Sequence, residues 1–234
     1  MSEPTITFIE KGHKYIHEES GDNLTSATTF IGQFFEKFDA DKWSAYVAKR
    51  DGMTVQQVLD LWEEKRIFAG EFGTHVHNYA ESIIKGTKQP VATIKKHEVY
   101  FKGVDEFMKT EPHKFFDAEK VIGNPKWGIA GQVDGLSKTE KGIFLVDWKT
   151  NKKLDFNAYG DKRATGPINH LQDCNYSKYT LQLSLYRLIL EQVYGWEIAG
   201  QILVHLTNYG TYHTYNIEYL KDEIVMMLQH DGRI

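Results

Sequence analysis

Cysteine is almost missing from this chain: Cys174 is the only one in 234 residues. That excludes a disulfide framework, a four-cysteine zinc site and a cysteine-ligated iron-sulfur cluster, and it suits a reducing compartment. No run approaches 18 apolar residues, and the opening Met-Ser-Glu-Pro-Thr lacks a basic region followed by an apolar one. The expectation is therefore a soluble intracellular, cytoplasmic protein with no membrane partner. There is no Gly-x-x-x-x-Gly-Lys-Ser/Thr loop, internal repeat, low-complexity tract or Pro/Gly/Ser linker. These absences exclude a P-loop motor and argue for one continuous unit. What is present, 41% hydrophobic and 26% charged residues, excludes a disordered or collagen-like chain and promises a sizeable core.

The formal charge is -4, which argues against coating nucleic acid by bulk electrostatics. Its distribution is uneven. Lys138 to Lys178 holds eight Lys/Arg against five Asp/Glu, a local +3 that leaves -7 elsewhere. A polyanion would meet the protein there, unless the stretch is simply a solvated surface.

Alternation predicts a hairpin of Ile6 to Ile9 and Lys14 to His17. Helices are expected from Asp39 or Asp41 through Lys49, over Val55 to Arg66 with Thr54 as cap, and over Phe68 to Lys85. In the last, Phe68, Phe72, Val76, Tyr79, Ala80 and Ile83 form one stripe with His77 on its flank. A helix over residues 97 to 109 precedes strands at Lys114 to Ile122, Ile129 to Ser137 and Gly142 to Lys149. The polar stretch Asn151 to Cys174 is long enough to be functional or mobile. An apolar helix, Tyr176 to Tyr194, a hairpin of Ile198 to Leu206 and Thr211 to Ile217, and a helix from Leu220 to Gln229 complete a mixed α/β sheet flanked by helices.

The chemistry gathers at Gly131-Gln132-Val133-Asp134 and, thirteen residues on, Asp147-Trp148-Lys149. On neighbouring strands the two carboxylates can converge, and Asp147 and Lys149, two apart, share a face. An acid flanked by Phe144, Leu145, Val146 and Trp148 requires a cation, either Lys149 or a metal. Oxygen ligation by Asp134 and Asp147 would suit a hard divalent ion. A plain salt bridge at a strand edge fits the same residues.

This Asp, then Asp-x-Lys, resembles the PD-(D/E)XK nuclease superfamily, and the accessory motifs resemble its RecB-like exonuclease branch. Gly73-Thr74-His75-Val76-His77 is similar to that branch's Gly-Thr-x-x-His, Gln182-Leu183-Ser184-Leu185-Tyr186 to its Gln-x-x-x-Tyr, and Glu119 to an acid on the first core strand. The order agrees across about residues 68 to 206. Val133 stands where the superfamily usually has proline, although the branch often has Gly-x-x-Asp. The single-domain plan and His13-Lys14-Tyr15 look similar to phage-encoded exonucleases and, less closely, to the mitochondrial genome maintenance exonuclease.

The resemblance implies a restriction-endonuclease-like mixed sheet. It implies an N-terminal hairpin and helical extension over 1–67, a core over 68–217 and a C-terminal helix over 218–234. It implies a metal-dependent deoxyribonuclease, an exonuclease, using one or two Mg²⁺ or Mn²⁺ ions and no iron-sulfur cluster. His77, Asp134, Asp147, the Trp148 main-chain carbonyl and Glu119 would be ligands. Lys149 would orient or deprotonate the attacking water, and Gln182 and Tyr186 would hold Lys149 or a phosphate. Lys152, Lys153, Lys162 and Arg163 would grip DNA phosphates, with Tyr159 and Tyr176 stacking on unpaired bases. A separate recombination or replication protein would be a partner, in a host cytoplasm if the chain is phage-encoded. A catalytically inactive DNA-binding module and a phosphoesterase for small substrates are the competing functions.

Overall fold

The computed structural model describes residues 3–234; Met1 and Ser2, part of the stretch read for a leader, lie outside them. Eight strands form one mixed sheet. β1 (Ile6–Ile9), β2 (Lys14–His17) and β3 (Asn23–Ser26) pair antiparallel in succession, β1 with β2 and β2 with β3. β3 then joins β5 (Ile129–Thr139) in parallel through Thr25 and Ser26. β4 (Lys114–Asn124) pairs antiparallel with one side of β5, and β6 (Gly142–Lys149) with part of the other. β7 (Ile198–Leu206) lies parallel to β6, and β8 (Tyr212–Asn216) closes the sheet antiparallel.

A parallel pair needs a crossover. Here it is α5 (Asn175–Val193), whose Leu181, Leu183, Leu185, Leu188, Ile189 and Leu190 are all buried. Burial over most of its length marks a core helix, and α5 sits on one sheet face with α1 (Ala27–Gly32) and α6 (Lys221–His230). The other face is covered by α3 (Val55–Lys85) and α4 (Lys95–Thr110), whose Phe72, Val76, Val104 and Phe107 pack on Val146, Trp148 and Val204. Alternation along β6 therefore sends Leu145 to the α5 side and Val146 and Trp148 to the α3–α4 side. No helix of the described residues is long and apolar enough to cross a membrane.

The structure departs from these expectations at four points. The segments read as two helices, Val55 to Arg66 and Phe68 to Lys85, are one 31-residue helix opened by a Thr54–Gln57 capping box. Residues 63–71 are exposed on every side, so the apolar stripe that would have shown continuity is interrupted there. β3 and α1, absent from the sequence reading, span only four and six residues, too few for a period to register. The stretch from Asn151 to Cys174 is tied down: Leu154, Ala164 and Ile168 are buried, and Ala164 N–H donates to Leu171 O and Asp173 N–H to Lys162 O. The expected boundary between 67 and 68 falls inside α3, while Phe30, Ile31, Phe34 and Phe35 share a core with Leu181 and Leu185.

Candidate metal centre and active site

The site lies where the β5–β6 ladder ends. Pairing runs from Thr139 and Gly142 to Gly135 and Val146; beyond that, the start of β5 turns to β3. The Trp148 N–H would lose its partner at this fork, and Asp134 Oδ2 accepts it at 2.9 Å instead. On the other side, the pairs Ala118–Gly135 and Lys120–Val133 put Glu119 opposite Asp134. Two acids so placed repel one another. Glu119 also has φ 50°, a left-handed backbone that is uncommon for a non-glycine residue and costs about 1–3 kcal/mol.

His77 on α3 reaches across to this pair. Its Nε2 is 3.0 Å from the Trp148 carbonyl, and its Nδ1 is 3.4 Å from Asp134 Oδ2 and 3.7 Å from Glu119 Oε1. One ligand atom from each of His77, Glu119 and Asp134 falls within 4.8 Å of the others. Because the carbonyl can only accept, Nε2 carries a proton. The neutral ring then presents its Nδ1 lone pair to the two carboxylates, the tautomer a metal ligand needs, fixed by an outer hydrogen bond. Without a metal, a proton does that work. Burial disfavours the imidazolium, but Asp134 and Glu119 outweigh it and raise His77 to about 9. Burial pushes Asp134 up, against the pull of His77 and with the repulsion of Glu119.

Asp147 and Lys149 form a second unit on the α5 side, Lys149 Nζ standing 2.7 Å from Asp147 Oδ2 and 4.5 Å from the Tyr179 ring centroid. The buried Asp147 Oδ2 receives charge but no well-aligned hydrogen bond. Burial lifts Asp147 to about 6 in spite of Lys149. Lys149 rises to about 12, burial opposing and Asp147 and Asp134 prevailing. The two acids therefore hold it as an ammonium at neutral pH.

Gln182 Nε2 donates to Tyr186 Oη at 3.1 Å, and no hydrogen bond joins either to Lys149 among the described residues. Tyr179, one turn earlier on α5, is the aromatic at that lysine. Tyr186 packs against Gly131, where a Cβ would come within 2.4 Å of the ring. This explains the glycine of Gly131-x-x-Asp134. A cavity of about 210 Å³ opens between Glu119, Asp134, Gln182 and Tyr186, and its far wall is Tyr15 and Ser26 from the N-terminal strands. Burial, then Glu119 and Asp134, raise the Tyr15 phenol to about 12. The only sequence signal for this wall was His13-Lys14-Tyr15.

The residues expected to grip DNA are not equivalent. Lys162 pairs with Glu36 at 3.2 Å, Lys153 with Asp155 at 2.6 Å, and Arg163 donates to His170 O at 2.9 Å. Lys152 is exposed and Tyr159 is 85% exposed, whereas Tyr176 packs on Phe156. His75, two residues before His77 on α3, faces away from the cluster: its Nε2 donates to Val91 O, and its ring lies on His97. Compared with protein-family models and with curated proteins, the chain matches none.

Proposed function

We propose that this protein is a metal-dependent deoxyribonuclease of the PD-(D/E)XK type, an exonuclease of the RecB-like branch. The observation that carries the reading is the convergence of His77, Glu119 and Asp134 beside the buried Asp147–Lys149 pair. The restriction-endonuclease-like assignment is part of the same proposal, supported by the parallel β6–β7 pair, its α5 crossover and the placing of both acids at the end of the β5–β6 ladder.

The donor set fits a divalent ion. Two carboxylates held opposite each other and a correctly oriented imidazole supply hard oxygen ligands with one nitrogen, which Mn²⁺ and Mg²⁺ accept. His77, Glu119 and Asp134 would hold it, with Asp147 and the Trp148 carbonyl beside them. When bound, it would supply an activated water and positive charge against that growing on phosphorus. Lys149, kept cationic by Asp147, would stand at the scissile phosphate and stabilise the same charge. Tyr186 and Gln182 would shape the cavity for the adjoining nucleotide, and Tyr159 and Lys152 would meet the strand further out.

Titrating Mg²⁺ and Mn²⁺ into reactions with end-labelled single- and double-stranded DNA, beside a small aryl phosphodiester, tests the reading. Metal-dependent release of nucleotides from DNA is expected. Hydrolysis of the small diester alone, or DNA binding without cleavage, would replace it with one of the competing functions.

A further inference from the structure

A cavity of about 860 Å³ lies away from this site, where α4 ends and leaves the sheet face uncovered. Lys138 is four residues along β5 from Asp134, a distance of about 13 Å. The floor is apolar, made by Phe115, Phe116 and Phe144 over the buried Ile202. Phe116 is 50% exposed because it is the extra residue of a bulge: Phe115 faces Ser137 and Asp117 faces Leu136. Bulges re-aim side chains in this way, and an exposed aromatic over an apolar groove is a common mark of an interaction site. The floor is preformed, since His113 bonds Ser137 Oγ at 2.8 Å and packs on Phe107 and Phe144.

The rim is basic. Lys114 and Lys138 are directly opposite in the β4–β5 ladder, an arrangement that repels, and Lys141 lies in the adjoining turn. The lysine ion pairs among the described residues involve Lys85, Lys120, Lys149, Lys153, Lys162 and Lys178, and none of these three. Three unpaired cations beside three phenylalanines, on a protein of net charge -4, call for a ligand that is both anionic and apolar. A nucleic-acid strand needs cations spaced along its path; these are gathered at the β5–β6 turn with Glu140 among them.

We infer that this groove docks a short acidic peptide segment of a partner protein, its carboxylates on Lys114, Lys138 and Lys141 and an aromatic or leucine anchor on Phe116 and Phe144. The inference does not depend on the nuclease reading.

The test is fluorescence anisotropy of the full-length protein with a fluorescein-labelled Glu-Asp-Glu-Asp-Leu-Phe peptide. Saturable binding is expected, weakened at least about tenfold by Lys138→Glu or Lys141→Glu, by Ala in place of the peptide's Phe, and by high salt. The two variants should keep the wild-type circular dichroism and the wild-type metal affinity. Binding that is absent up to millimolar protein, or equal for a lysine-containing peptide, overturns the inference. So does a labelled oligonucleotide whose affinity falls in the same variants, which would make the groove a nucleic-acid path. So does concentration-dependent self-association abolished by Phe116→Asp, which would make it an interface between copies.

Discussion

His77 is expected to exchange a proton for a metal, and the size of that exchange follows from its surroundings. Asp134 and Glu119 hold its imidazolium to about 9, yet only the neutral ring can donate its Nδ1 lone pair. The sign is fixed: below that value the proton occupies the ligand position and competes with the ion. Each pH unit below it costs about 1.36 kcal/mol, so affinity near pH 7 should be about 100-fold weaker than near the plateau above pH 9. Between about pH 6 and 8 it should climb about tenfold per unit. Mn²⁺ calorimetry in two buffers of different ionisation enthalpy measures both quantities. About one proton should leave per ion near pH 7, and His77→Gln should bind weakly with a flatter pH dependence. An affinity that does not vary with pH, or binding without proton release, would refute the assignment of His77.

Lys149→Ala should lower DNA turnover by roughly 10² or more while leaving metal affinity close to wild type, because the ammonium neutralises charge and is not a ligand; calorimetry beside single-turnover kinetics separates the two. Gly131→Ala should destabilise by about 1–3 kcal/mol in urea unfolding, since the new methyl must displace the buried Tyr186 ring. Tyr159→Ala should weaken single-stranded DNA binding by about 1–3 kcal/mol with little loss on duplex. Lys152→Ala should flatten the salt dependence of log affinity by up to about 0.7–0.9, and Lys162→Ala by less, because Lys162 is already paired with Glu36.

Long periodic segments were legible without coordinates. β1, β2, β6 and β7 have the bounds that alternation and turn residues predict, and the buried α5 announced itself by its apolar run. The fusion within α3 was hidden because a projecting helix has no core to impose a stripe. Within the site, spacing brought out Asp134, Asp147 and Lys149, but it could not divide them. That Glu119, not Asp147, stands with His77 and Asp134 depends on the register across β4 and β5 and on a left-handed residue that no propensity announces. The wall supplied by Tyr15 and Ser26 had only His13-Lys14-Tyr15 as a signal, which could not place it, because two residues of parallel pairing carry the N-terminal strands to the site.

The central claim is that the His77–Glu119–Asp134 cluster holds the ion on which phosphodiester hydrolysis depends. The most direct measurement is cleavage of end-labelled DNA in Mn²⁺ by wild-type protein and by Asp134→Ala and Glu119→Ala, each checked for folding by circular dichroism. The account predicts nucleotide release by the wild type, its loss on chelation, and its loss in both folded variants. Folded variants that cleave at the wild-type rate, or a wild type that leaves DNA intact in both Mn²⁺ and Mg²⁺, would contradict it.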